Sequence, residues 1–358
     1  MKKKLVGMLA TATLLTMALA GNVQAAEIRS VGPDGEAAVD ASTIELTDDQ
    51  IAQIKEGGYT AAICLHYGGN DWSTSQQKGL EDTFGELGIE IVAVTDANFS
   101  AETQVSNIET VMAKKPDILV SIPTDATATA DAYKQAAAAG IKIVFMDQRA
   151  DGLEAGKDYV SVVSADNYGN GYASGTVLGD ALGGKGKVAM VYYDANFAPT
   201  NQRDEGFRDA MKNYPDIEIV TEQGFTDESG CAEQGDAILT QFPNIDGIYA
   251  SWDVPMEGVL SAVRAAGMEG KVTLACNDLG NNVAREIASG NIAGGGAQMP
   301  YDQAVAEAKL AALALLGEET PSYVAVPAET VTHENVLEAY TDVYHVETPD
   351  WLKEAYVE

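Results

Sequence analysis

Asn, Asp, Gln and aromatic side chains recur in this chain at one kind of position, the residues that follow a short apolar run. After YTAAICLH come Gly68, Gly69, Asn70, Asp71, Trp72 and Ser73, and after IKIVFM come Asp147, Gln148 and Arg149. KVAMVYY is followed by DANF and then by a helical pattern carrying Thr200, Asn201, Gln202 and Arg203. IEIVTEQG leads to Phe225 and Thr226, DGIYAS to Trp252 and Asp253, VTLAC to Asn277 and Asp278, and NIAGGGA to Gln298. Carboxylates and carboxamides pair donors and acceptors with hydroxyl groups, and flat rings cover C–H faces. The set therefore suits a neutral polyhydroxylated molecule. Each polar residue also has a purely structural reading. Asp71 or Ser73 would cap the helix after the glycine turn, Asp125 in IPTD reads as a turn plus N-cap, and Asp253 reads as a partial cap of the helix beginning near Val254. Capping explains neither Trp72 nor Trp252.

These residues need elements that bring them to one edge. From Tyr59 onward short apolar runs (YTAAICLH, IEIVAVT, DILVSI, IKIVFMD) alternate with helical patterns, and after Tyr159 the rhythm repeats with YVSVVSA, KVAMVYY, IEIVTE, DGIYAS and VTLACN. Strands alternating with helices of this length predict βαβ units and parallel sheets. Two similar sets are too many strands for one small sheet, so the pattern predicts two doubly wound α/β lobes, with a single (β/α)₈ barrel as the competing fold. Doubly wound sheets bind ligands beyond the carboxyl ends of their strands. Two facing lobes would bring those ends to one shared cleft.

Charge and cysteine usage narrow the classes. Lys2, Lys3 and Lys4 precede an apolar run from Leu5 to Ala20 and an A-x-A-like Val23-Gln24-Ala25, the order of a secretory signal peptide cleaved near Ala25-Ala26. No Cys stands near that point to carry a lipid. Loss of the three lysines would take the net charge from −32 to −35, a balance that opposes binding to nucleic acid or anionic lipid. Cys64, Cys231 and Cys276 allow one disulfide at most, and Cys64 and Cys276 lie in strand-like runs that read as buried thiols. His66, His333 and His345 are scattered, and no metal-ligand spacing stands out. GDALGGKGK has Gly186 where a phosphate loop requires Ser or Thr, and it ends a helix, so it reads as a C-cap and turn. GNGYASG misses the dinucleotide spacing. No cofactor motif and no catalytic constellation is evident.

At this point the chain resembles a type I periplasmic sugar-binding protein of the ribose-binding group, the receptor component of an ABC importer. The resemblance runs from about Tyr59 to about Val331. It rests on NDWS followed by KGLED, IPTD, the Asp147 strand end, SADNYGNGYA, RDEGF, WD before a helix, NDLG and AQMPYDQ, in that order. It implies that Asn70 donates to the sugar, that Trp72 stacks on it, and that Asp147 binds ring hydroxyls. The family's Arg beside that acid is replaced by Gln148, with Arg149 next. A second binding Arg falls at Asn201, while Arg203 is retained and reads as structural. A stacking Phe falls at Phe225 or Thr226, an Asn position is held by Trp252 with Asp253 next, and Asp278 and Gln298 match the remaining acid and amide. Ser73 completes the candidate set.

The resemblance also implies two Rossmann-like lobes joined by a three-strand hinge, with crossovers near Ala165–Asp166, Gln298–Met299 and Ala328–Val331. The expected organisation is a signal peptide at 1–25, an extension at 26–57, a first lobe at 58–165 plus 299–328, a second at 166–298 plus 329–345, and a tail at 346–358. The implied activity is hinge closure on a small neutral sugar or polyol, read by a permease in the inner membrane, by a monomeric protein in the periplasm. Asn201 and Trp252 argue against D-ribose itself. A chemotaxis or sensor-kinase co-receptor would use the same chemistry. An exported carbohydrate-active enzyme would show turnover, and a sugar-responsive transcription factor would need a DNA-binding head in place of the leader.

Overall fold

The computed structural model describes residues 27–357, so the signal-peptide reading and its cleavage point lie outside the described residues. Two sheets organise the chain. The first has seven parallel strands in the order Val39–Asp40, Tyr323–Val326, Ser161–Ala165, Lys142–Met146, Ile118–Ser121, Thr60–Leu65 and Glu90–Asp96. The second has six, in the order Glu329–Thr332, Gly294–Ala297, Thr273–Cys276, Gly247–Ala250, Lys185–Tyr193 and Asp216–Phe225; all run parallel except the first, which is antiparallel to its neighbour. The sheets are separate, which excludes a barrel.

The central strands read as unbroken apolar runs because helices cover both faces. Alternation along each strand sorts residues between two cores. Ala61, Ile63 and Leu65 face one cluster with Leu80, Phe84 and Leu310, while Ala62 and Cys64 face another with Tyr133 and Phe145. In the second sheet Ala189 and Val191 pack on one side and Val188 and Met190 on the other. Truncating a fully buried ring such as Phe145 to Ala would cost ~3–5 kcal/mol. All three cysteines are free and buried.

The chain crosses between lobes three times. The strand Ser161–Ala165 belongs to the first sheet, and the helix Asn167–Ala181 that follows packs on the second. Strand Gly294–Ala297 leads back through helix Pro300–Leu315, which covers the first sheet, and Tyr323–Val326 is followed by Glu329–Thr332 in the second. The stretch 26–57 is not a separate extension over its described part. Val39–Asp40 adds an edge strand, helix Asp48–Gly57 buries Ile54, and the backbone N–H groups of Arg29 and Ser30 donate to the Asp166 carboxylate at the first crossing. Nor is 346–357 a loose tail, since helix Asp350–Ala355 buries Leu352 against the second lobe.

The near-miss glycine motifs have packing roles. Helices Asn167–Ala181 and Ala198–Met211 approach so closely that a Cβ at Gly171 would meet the Arg203 carbonyl oxygen at 1.8 Å, and one at Gly206 the Tyr168 carbonyl oxygen at 2.1 Å. This contact carries Arg203 into the middle of the molecule. GDALGGKGK ends the first of these helices, with Gly183 and Gly184 at positive φ before strand Lys185–Tyr193.

Candidate functional site

The carboxyl ends of strands from both sheets meet at a cleft enclosing about 480 Å³ of space, counting the part open to solvent. From the first lobe, strand Thr60–Leu65 delivers His66 and Tyr67, the turn through Gly68 and Gly69 delivers Asn70, and the helix Asp71–Glu86 starts with Trp72 in its first turn. Strand Lys142–Met146 ends on Asp147. From the second lobe come Tyr193 at its strand end, Phe197, Thr200 and Arg203 from the start of helix Ala198–Met211, Trp252 at the N-cap of helix Asp253–Ala265, and Asp278 and Gln298 after their strands.

Asp147 and Asp278 are non-glycine residues at φ 55° and 69°. Left-handed backbone at a strand end is sparsely populated, and Asp tolerates it better than most residues. Here it accompanies both carboxylates at the cleft. Asp147 Oδ1 accepts from Ser164 Oγ at 2.9 Å, Gln303 Nε2 at 3.3 Å and the Ala165 N–H at 3.4 Å. Burial raises this carboxyl above its ordinary value, while nearby Arg203 and these donors pull it back. Asp278 is tied instead to a cation: Oδ2 accepts from Arg203 at 3.2 Å, and Oδ1 accepts from Gln298 Nε2 at 2.7 Å. Arg203, itself buried, also donates Nε to Asn167 Oδ1 at 2.8 Å.

The rings form a continuous run. His66 lies edge-on to Tyr67, Trp72 and Phe99 and stacks with Phe197 at 5.9 Å. Tyr67 stacks on Phe99 at 4.1 Å, and Tyr193 joins Phe197 to Trp252. Burial lowers the His66 pKa to about 3, so its imidazole stays neutral. Three buried polar atoms of lining residues have no protein partner: His66 Nδ1, Trp72 Nε1 and Gln298 Oε1. An unmet buried polar atom is costly unless a ligand or water meets it.

Six of the sequence-derived candidates thus line the cleft: Asn70, Trp72, Asp147, Trp252, Asp278 and Gln298. Asn70 is also the helix cap, a role the sequence reading assigned to Asp71 or Ser73. Its Oδ1 accepts from the Ser73 N–H at 2.8 Å, and its Nδ2 donates to the Tyr67 hydroxyl. Asp71 reaches across the cleft, where its carboxylate accepts from the Asn281 N–H and Nδ2, each at 2.7 Å, so the lobes are bonded together in this structure.

The other seven candidates lie outside the lining. Ser73 is buried beneath its cap. Gln148 donates to the Pro123 carbonyl at 2.9 Å and accepts from the Ala198 N–H at 3.2 Å, a second bond between lobes. Arg149 turns away to form a bidentate pair with Asp34, both contacts 2.7 Å. Asn201 is exposed on its helix, because two residues of α-helix rotate it about 200° from Arg203. Phe225 packs behind Trp252 at 5.1 Å, and Thr226 is exposed. The Asp253 carboxylate lies against Gly280, where a Cβ would meet Oδ2 at 2.1 Å, and Oδ1 accepts from the Val254 N–H at 2.8 Å.

Residues that sequence reasoning passed over include His66, Tyr67, Phe99 and Tyr193, and Phe197 and Thr200, noted only as following their strand, also line the cleft. His66 and Tyr67 stand at the same strand end as Asn70, and that position was their signal. Arg203, read as structural, is the cation at the centre of the polar side. Among the described residues no His, Cys, Asp or Glu cluster of metal-binding type is found, and no helix is long and apolar enough to cross a membrane.

Residues 61–319 match the family described as a periplasmic binding protein domain. The chain is 30% identical over 273 residues to the D-ribose/D-allose-binding protein of Pseudomonas aeruginosa, covering 73% of this chain and 83% of that relative. It is 27% identical over 213 residues to the ribose import binding protein of Bacillus subtilis, covering 59% and 67%. A solved ABC transporter periplasmic solute-binding protein from Actinobacillus succinogenes with bound D-allose matches with a TM-score of 0.72 at 29% identity, over 78% of this chain and 99% of that one.

Proposed function

The chain belongs to the periplasmic binding protein domain family, and from that premise we propose a receptor that binds a neutral monosaccharide or sugar alcohol between its lobes and delivers it to an ABC permease. One observation carries this reading: carboxylate, carboxamide and guanidinium groups from both lobes meet in a single cleft roofed by aromatic rings. Asp147, Arg203 and Gln298 are the hydroxyl-binding groups, Asp278 holds Arg203 and Gln298 in place, and Trp72 and Trp252 are the stacking rings. Closure brings the two sets together around the ligand, and the Asp71–Asn281 and Gln148–Ala198 bonds hold the closed form that a permease would read. Affinity in the micromolar range requires ~8 kcal/mol net. Hydrogen bonds to charged groups at ~1.5–3 kcal/mol each, with ring stacking, supply that after the cost of closure.

The protein acts as a monomer in the periplasm after removal of its leader. It binds without turnover: Asp278 is tied up with Arg203 and Gln298, so the two cleft acids do not form a free acid–base couple. A thermal-shift panel of pentoses, hexoses and alditols tests the reading, because specific binders raise the melting temperature with affinity. A selective rise with one stereochemical group, and recovery of that sugar unchanged, is the expected result. A flat response across the panel contradicts it.

A further inference from the structure

The cleft has two unlike walls. On one, polar groups of the second lobe form a connected chain, Gln298 to Asp278 and Asp278 to Arg203, and Asp147 of the first lobe lines the same cleft near Arg203. On the other, the rings of Tyr67, Phe99, His66, Phe197, Tyr193 and Trp252 touch in series, with centroids 4.1–6.2 Å apart from pair to pair. The ring wall carries few polar atoms. The Trp252 indole N–H donates to Glu228 Oε1 at 2.8 Å, the Tyr67 hydroxyl oxygen accepts from Asn70 Nδ2, and the His66 ring carries no charge. The Trp72 N–H and His66 Nδ1 remain to serve one or two ligand oxygens.

Two rings suffice to cover the two faces of a sugar, yet this wall carries more. Phe99 makes the point. It is 41% exposed at the cleft, and both Asn98 and Phe99 hold positive φ, 47° and 57°. Its N–H donates to the His66 carbonyl at 2.8 Å, which pins the strained turn. A costly backbone that presents a phenyl ring to a ligand cleft marks a functional position.

We infer that the ligand is a sugar or polyol with one deoxygenated, methyl-bearing end, its hydroxyls along the Asp147–Arg203–Asp278–Gln298 wall and its methyl group against the rings around Phe99. The inference rests on the proposed sugar-binding function. A hydroxyl set against the Phe99 ring would exchange water for a face with no hydrogen-bonding atom, whereas a methyl group there gains apolar contact.

The test is calorimetric titration of the full mature chain with matched pairs, D-galactose and D-fucose, L-mannose and L-rhamnose, D-glucose and its 6-deoxy form, together with the best binder of the wider panel. The tightest ligand should be a deoxy sugar, binding about tenfold or more tighter than its hydroxylated partner. In Phe99→Ser, an exposed substitution, the ratio should collapse towards one. If the tightest ligand is fully hydroxylated, or the ratio is unchanged in Phe99→Ser, this inference is overturned and the sugar-receptor reading stands. If none of the sugars binds, both fall together.

Discussion

Asp147 and Asp278 hold matching places in the two lobes, each just beyond a buried parallel strand and each at positive φ. The backbone device is the same, but the electrostatics differ. Asp147 is held by a serine hydroxyl, a carboxamide and a backbone N–H, all neutral donors, and burial raises its pKa. Asp278 is held by Arg203, and that ion pair is almost fully buried, with side chains 6% and 11% exposed. An acid kept by neutral donors retains an oxygen for a ligand, whereas an acid tied to a cation is part of the frame. The first lobe thus contributes a group free to bind, and the second contributes a pair whose halves depend on each other.

Removing each acid in turn separates the two roles. Asp278→Ala should be the more damaging to the fold, because it leaves Arg203 buried without its counter-charge. The cost should be roughly 3–5 kcal/mol, read as a lower denaturation midpoint. Asp147→Ala should leave that midpoint nearly unchanged and weaken sugar binding about a hundredfold, ~2.7 kcal/mol by calorimetry. If the two variants exchange these phenotypes, the division between binding acid and frame acid is wrong.

A smaller effect sharpens the same rule away from the ligand. Asp204, buried in the second lobe, accepts from Ser251 Oγ at 2.7 Å and Tyr249 at 3.4 Å, and burial raises its pKa from 3.8 to about 7. Between those values the folded state holds a proton that the unfolded state releases, so this group's contribution to stability falls as pH rises from about 4 to about 7. Asp204→Asn removes the titration. Its stability relative to the parent should therefore rise between pH 4 and pH 8 by up to roughly 4 kcal/mol, read as a growing difference in melting temperature. A difference independent of pH would contradict the assignment.

How far these distinctions were legible in the sequence depended on what set them. The alternation of apolar runs with helical patterns announced parallel sheets with helical cover, because strands buried on both faces have no polar alternation to obscure them. The strand-end rule located Asp147, Trp252, Asp278 and Gln298 at the cleft, since the carboxyl edge is a property of the topology. It failed where direction, not position, decided. Gln148 and Arg149 follow Asp147 in sequence but turn to Pro123 and Asp34. Asn201 and Arg203 differ by two residues and face opposite ways on one helix, so the cation lay at the position read as structural. The Arg203–Asp278 pair joins residues 75 apart in sequence, and no local pattern marks it. The stretch 26–57 looked detached because it lacks a long apolar run; its anchors are single residues such as Ile54 and bonds to Asp166.

The central claim is that both lobes close on one sugar through these strand-end groups. A crystal structure of the mature protein with the best thermal-shift ligand tests it most directly. The ligand should lie between the lobes, its hydroxyls within ~3.2 Å of Asp147 and of Arg203 or Gln298, and its apolar side against the rings. A ligand bound outside the cleft, or in it without contact to Asp147, would contradict the account.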